Sequence, residues 1–183
     1  MVIAAVVLGG GILGAFAQTP TVEVFGGYSF ARADQTNVPK GWNGAIAGNF
    51  SRNLGIVGDV SGHYYSQNVA VVQGTSVVNV NANLNLLFYR FGPKFTLRTE
   101  DSHIEPFFQA LVGGVRGTED VGASGVNVSA SSNGFSWAVG GGMDIKVSPR
   151  IAVRLVQAEF NQLRFSGNST DGLRASTGLV FRF

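Results

Sequence analysis

From position 22 to the end, large apolar residues recur at every second position, the period of a β-strand with one greasy face. Val22, Val24, Gly26, Tyr28 and Phe30 share one side, with Glu23, Phe25, Gly27 and Ser29 on the other. Trp42, Gly44, Ile46, Gly48 and Phe50 then oppose Asn43, Ala45, Ala47 and Asn49. Leu54, Ile56, Val60 and Tyr64 oppose Val57, Asp59, Ser61 and His63. A fourth segment sets Val78, Val80, Ala82, Leu84, Leu86 and Phe88 against Asn79, Asn81, Asn83 and Asn85. The second half repeats the scheme in four segments through Phe108, Trp137, Val153 and Leu179, whose opposite faces carry Glu105, Asp144, Arg154 and Arg174. No stretch has the helical period. The pattern predicts about eight strands joined as hairpins in an antiparallel meander.

Which face is buried decides the class. A soluble barrel packs large apolar side chains inside, whereas a membrane barrel turns them to lipid and keeps small and polar residues within. Here the face opposite the aromatics carries glycine, alanine, serine and asparagine, with Glu23, Asp59, Glu105, Asp144, Lys146, Arg154, Arg174 and Arg182 among them. That face is too small and glycine-rich for a water-facing surface, and it suits a lumen eight strands wide. Connections alternate as well: long at 31–40, 65–76, 118–132 and 164–171, short at 51–53, 98–103 and 148–150. Outer-membrane barrels pair short periplasmic turns with long external loops. The fold predicted is therefore all-β, an eight-stranded antiparallel up-and-down transmembrane β-barrel with both ends of the meander periplasmic. Aromatics fall where interfacial girdles belong: Tyr28, Phe30, Trp42, Tyr64, Phe135 and Trp137 outside, Phe50, Phe88, Phe181 and Phe183 at the periplasmic end. Two places break the alternation. Arg90 and Lys94 fall on the lipid parity of an unbroken fourth strand, which predicts a bulge near Gly92-Pro93 or a place at the periplasmic interface. Arg154 and Glu159 differ in parity, which predicts a bulge near Val156-Gln157 that brings both inside.

Composition narrows the classes further. The 183 residues allow one domain of ordinary size or two very small ones, only 13% of them are charged, and 26 are glycine. So many aromatic and branched residues exclude disorder, and so few charges disfavour a helical bundle. A net charge of +2, from 13 basic and 11 acidic residues, gives no reason to expect nucleic acid. With no cysteine, disulfides, thiolate metal sites and a lipoprotein anchor are out. Residues 1–17 form an uncharged apolar run ending in Ala15-Phe16-Ala17, the pattern cut by signal peptidase. It lacks the usual basic start. The expectation is a signal peptide over 1–17 and a barrel domain over 18–183.

The segments 22–30 and 41–44, Phe91-Gly92-Pro93-Lys94-Phe95, the stretch 106–114 and the final Phe181-Arg182-Phe183 resemble the bacterial outer-membrane β-barrel family, which includes the transmembrane domain of outer-membrane protein A. The resemblance spans nearly all of the chain after 17. It implies a place in the outer membrane, the lipid bilayer as partner, and insertion by the barrel-assembly machinery, with Phe181 and Phe183 as the assembly signal. It also implies a barrel without the periplasmic peptidoglycan-binding domain of larger members.

The chemistry readable from the strands is a lumen ion-pair network of Glu23, Asp59, Glu105, Asp144, Lys146, Arg154, Glu159, Arg174 and Arg182, because buried charges must be paired. Closure of the first strand on the eighth brings Glu23 toward Arg182. His63 lies near the outer rim beside Tyr64, Tyr65 and Ser66 on the inward parity, and no acid sits beside it to complete a hydrolytic set. No catalytic, cofactor or metal site is expected. His103, with Glu100 and Asp101, falls in a short turn. The Ser-, Asn-, Gly- and Val-rich stretches 65–76 and 118–132 suit contact with an external ligand or surface partner, and equally an extension of the strands above the membrane. The function expected is an integral outer-membrane barrel with a structural and surface-interaction role. A narrow pore for ions or small solutes is the alternative, and a lipid-modifying enzyme ranks below both.

Overall fold

The computed structural model describes residues 21–33, 36–73, 76–99, 102–123, 126–165 and 168–183; the expected signal peptide lies outside the described residues. Every element is a strand: β1 (Val22–Ala33), β2 (Thr36–Val38), β3 (Lys40–Asn49), β4 (Leu54–Gln73), β5 (Ser76–Thr96), β6 (Ile104–Ala123), β7 (Val126–Lys146), β8 (Ile151–Phe165) and β9 (Asn168–Arg182). Consecutive strands pair antiparallel throughout, and β1 pairs β9 from Glu23↔Arg182 to Ala33↔Gly172 to close the barrel. β2 and β3 act as one strand against β1. The register slips by one residue between Tyr28↔Trp42 and Ala31↔Val38, at Pro39, which has no N–H to give the ladder. The closed structure therefore has eight staves.

Its polarity is inverted. Ile46, Ile56, Phe91, Phe108, Leu173 and Leu179 stand exposed on the outer surface, while Glu23, Asp59, Glu105, Asp144, Arg154, Glu159, Arg174 and Arg182 are buried inside. An apolar belt of this kind is stable only against hydrocarbon. Trp42 donates to the Tyr64 hydroxyl at 3.2 Å and Trp137 to Gln162 at 3.0 Å, tying the outer girdle together.

The parity of β5 corrects the sequence reading. Leu87, Tyr89, Phe91, Phe95 and Leu97 face outward, and Phe88, Arg90, Lys94 and Arg98 are buried in the lumen. Leu86 packs against the buried Phe88 and Leu163, so it too belongs inside, and Phe88 is no part of the periplasmic girdle. The ladder to β6 keeps one register from Phe91↔Val112 to Lys94↔Gln109, so no bulge occurs at Gly92-Pro93. The physical reason is cost. A lysine or arginine facing mid-bilayer costs roughly 2–4 kcal/mol, and a one-residue slip flips every side chain of the strand. Asn81 and Asn83 point outward, but Asn83 pairs with Ser66 and Asp120, above the girdle, where both faces meet water. At β8 the expected bulge is present: pairing with β9 shifts between Arg154 and Gln157, leaving Leu155 and Val156 both exposed and Arg154 and Glu159 both buried.

The long connections are strands rather than open loops. β4 to β7 have 20, 21, 20 and 21 residues, about twice the ~9–11 that cross a bilayer. β3 pairs β4 only up to Lys40↔Tyr64, and β8 pairs β7 only up to Phe135↔Arg164. Above those points a four-stranded sheet rises over half the rim.

Candidate functional site

The lumen is filled in layers. Nearest the exterior, Phe88, Val115 and Leu163 pack with Leu86 and Phe165. Below them lies a charged layer centred on Asp59. Its carboxylate takes Arg174 at 2.9 and 3.0 Å and Arg90 at 3.2 Å, and Asn43 donates to it at 2.7 Å. Arg174 also reaches Glu159 through Nε at 2.7 Å and Ser61 at 2.6 Å. Glu159 further accepts from Gln109 at 2.6 Å and Gln157 at 3.0 Å. These contacts come from β3, β4, β5, β6, β8 and β9, so one cluster spans most of the barrel wall.

An apolar middle follows, with Ala47, Val57, Leu111 and Ala138 on one side and Phe25, Ala152 and Val180 on the other. Toward the periplasm Glu23 binds Lys94 at 2.6 Å, Arg98 at 2.7 Å and Arg182 at 3.6 Å. Glu105 pairs with Arg182 and with Lys146 at 3.0 Å. Arg154 grips Asp144 through two bonds of 2.8 and 3.0 Å and donates to Gln157 at 2.6 Å, which links the two charged layers. Arg154 also lies over the rings of Phe25 and Phe107, at 4.4 and 4.2 Å from their centroids. Desolvated guanidinium groups gain from such faces.

All nine residues singled out from sequence thus point into one lumen, although Asp59, Glu159 and Arg174 sit in a layer apart from Glu23, Glu105, Asp144, Lys146, Arg154 and Arg182. Sequence reasoning missed Arg90, Lys94 and Arg98. The signal was the charge balance itself: five lumen carboxylates stood against four cations, and the missing partners had to come from the strand whose phase was inverted.

His63 is buried, 2% exposed, with Nε2 3.0 Å from Ser29 Oγ rather than near Ser66. His103 is exposed in its turn, and no cluster of metal-ligating side chains occurs among the described residues. Phe181 and Phe183 are exposed at the periplasmic edge of the seam, where the Phe183 backbone bonds Val22 at 2.9 Å.

No protein-family model and no curated protein sequence matches the chain. Solved barrels do. Ail, the attachment invasion locus protein of Yersinia pestis, in complex with the heparin analogue sucrose octasulfate, superposes with a TM-score of 0.57 at 14% identity, over 87% of this chain and 96% of that one. Neisserial surface protein A gives 0.52 at 13% identity, over 88% and 96%. Identities this low speak for a shared fold. Combined with the apolar belt, the ion-paired lumen and the short-turn, long-hairpin asymmetry, that fold makes the chain an integral β-barrel protein of the bacterial outer membrane.

Proposed function

We propose that the protein is a surface-interaction barrel: the closed lumen makes a rigid anchor, and the sheet built from the outer halves of β4 to β7 makes the contact. The observation that carries the reading is backbone left over. Past residue 64 of β4 and before residue 135 of β7, each strand is hydrogen-bonded on one side only among the described residues. Free edges bind extended segments of other chains. Residues 66–89 contain no charged residue and no proline, the two devices that usually protect such edges. At about 3.3 Å per residue and a tilt near 40°, ten extra residues lift this sheet about 25 Å above the girdle. The role is non-enzymatic. His63 sits inside the lumen, away from the lipid face where a lipid-modifying enzyme would meet its substrate. Phe181 and Phe183, exposed on the lipid face beside the closing seam, are the strand that the assembly machinery would read.

The test compares bacteria displaying the whole barrel with bacteria displaying a variant in which tight turns replace residues 67–80 and 119–130. The expected result is loss of attachment to matrix-coated surfaces, with the barrel still running as a compact, heat-modifiable band. Undiminished attachment by the trimmed barrel overturns the reading.

A further inference from the structure

Four exposed cations mark the top of the apolar belt. Arg32 pairs across the ladder with Leu173, Lys40 with Tyr64, Arg116 with Leu87 and Arg164 with Phe135, and every one of these partners is exposed. Below that level the outward faces of the strands carry no charged side chain among the described residues. The charges begin where hydrocarbon ends, at the depth of the outer-leaflet headgroups. None of the four pairs with a carboxylate among the described residues. The outward-facing acids Asp120 and Asp171 accept instead from Ser129 and, at 2.8 Å, from Gln162. Unpaired cations beside a lipid surface attract the anionic groups of that surface.

Two of the four share a seat. Arg116 lies opposite Asn133 and Arg164 opposite Phe135, on the strands either side of β7. With strands about 4.8 Å apart and residues about 3.3 Å apart along them, the two Cα atoms stand about 12 Å from each other. Both guanidinium groups therefore reach the space over Asn133, and Arg164 Nε is steadied by donating to Ser169 at 3.4 Å. Planar guanidinium forks match the oxygens of a phosphate. What lies above and below narrows the ligand. Below the seat β7 continues outward through Phe135, Trp137 and Val139 into the belt. Above it the outward faces turn from apolar to polar, with Asn85 opposite Thr118 and Thr118 opposite Ser131. A molecule that suits this wall from bottom to top has hydrocarbon, then phosphate, then sugar. Arg32 and Lys40, at the same level on β1 and β3, have only the three residues of β2 above them.

We propose that Arg116 and Arg164 seat one phosphate-bearing glycolipid of the outer leaflet. Its phosphate lies between the two guanidinium groups, its acyl chains on the belt below Phe135 and its sugars against Thr118 and Ser131. The seat does not depend on the free edges of β4 and β7, and the barrel trimmed at 67–80 and 119–130 keeps it. The test titrates the whole barrel, in uncharged detergent micelles, with bisphosphorylated lipid A, and native mass spectrometry counts the lipid retained. Saturable binding is expected, and lipid A stripped of its phosphates should bind at least tenfold more weakly. Arg116→Gln with Arg164→Gln should weaken binding at least tenfold. Arg32→Gln with Lys40→Gln, an equal loss of charge, should weaken it less than twofold. If the first double variant loses its heat-modifiable band, Arg116→Gln and Arg164→Gln are made singly, and each should weaken binding at least threefold. Millimolar inorganic phosphate should leave the retained lipid unchanged. Equal weakening by the two double variants, full binding by the single ones, full binding of the stripped lipid, or displacement by inorganic phosphate overturns the proposal.

Discussion

Asp59 shows what one buried charge does in this lumen. Its carboxylate is the shared partner of Arg90 and Arg174, so removing it leaves two cations in a site from which water is excluded. Breaking a buried pair by deleting one partner costs about 3–5 kcal/mol, far more than the pair's net worth. Asp59→Leu should lower the free energy of unfolding by that amount, measured by urea titration of the barrel in lipid vesicles. Lys146 is the contrast: its side chain is 30% exposed at the periplasmic rim. There solvent screens the Glu105 pair, and Lys146→Ala should change stability by no more than ~1 kcal/mol. Equal losses in the two variants would sink the layered picture. At this scale the sequence announces the acids well, because a carboxylate on the small-residue face has nowhere to go but inward. It hides which cation meets which acid, since partners such as Arg174 and Asp59 lie 115 positions apart and only closure of the barrel joins them.

Strand by strand, the belt enforces its own reading. Where one face meets lipid, the alternation of β1, β3, β4, β6, β7, β8 and β9 is legible, as is the two-residue bulge at Leu155-Val156. β5 misleads because its most regular stretch, the asparagines from 79 to 85, rises past the girdle, where both faces meet water and alternation fixes no direction. The lower half holds the decisive residues, Arg90 and Lys94. The β8 bulge keeps Arg154 on Asp144 below while Gln157 and Glu159 stay inside above it. Deleting Val156 removes the phase correction and turns one of those sets toward lipid, at roughly 2–4 kcal/mol for an arginine near mid-bilayer. The variant should fail to give the compact band of a folded barrel on an unheated gel. The closing seam is just as strict. A side chain at Gly178 would collide with the Gly26 carbonyl and Gly27 on β1, and one at Gly27 would strike the Thr177 carbonyl. Gly178→Val should therefore block closure of β9 on β1, whereas Ala175→Val, exposed on the same strand, should fold normally.

For the molecule as a whole, the question is whether charged layers with an apolar middle can pass ions. Conduction needs a continuous thread of water, and the middle of this lumen offers little room for one. The space between Phe25, Ala45, Ala47, Val57 and Val180 on its apolar side and Glu23, Lys94, Gln109 and Arg154 on its polar side amounts to about 10 Å³, at most a single water. Phe107 closes the gap between the layers, held under the Arg154 guanidinium at 4.2 Å and the Lys94 ammonium at 4.9 Å. Rearranging ion pairs on either side leaves the Phe25 and Phe107 rings in place, so the charges rigidify the barrel beneath the external sheet. The purified barrel in a planar bilayer should give no stable unitary steps. Replacing Phe25 and Phe107 together by alanine removes both rings that flank Arg154 and should give small steps, provided the variant keeps its heat-modifiable band. Steps from the unaltered barrel, of the same size as those of the double variant, would show that the middle layer is no barrier and would restore the narrow-pore reading.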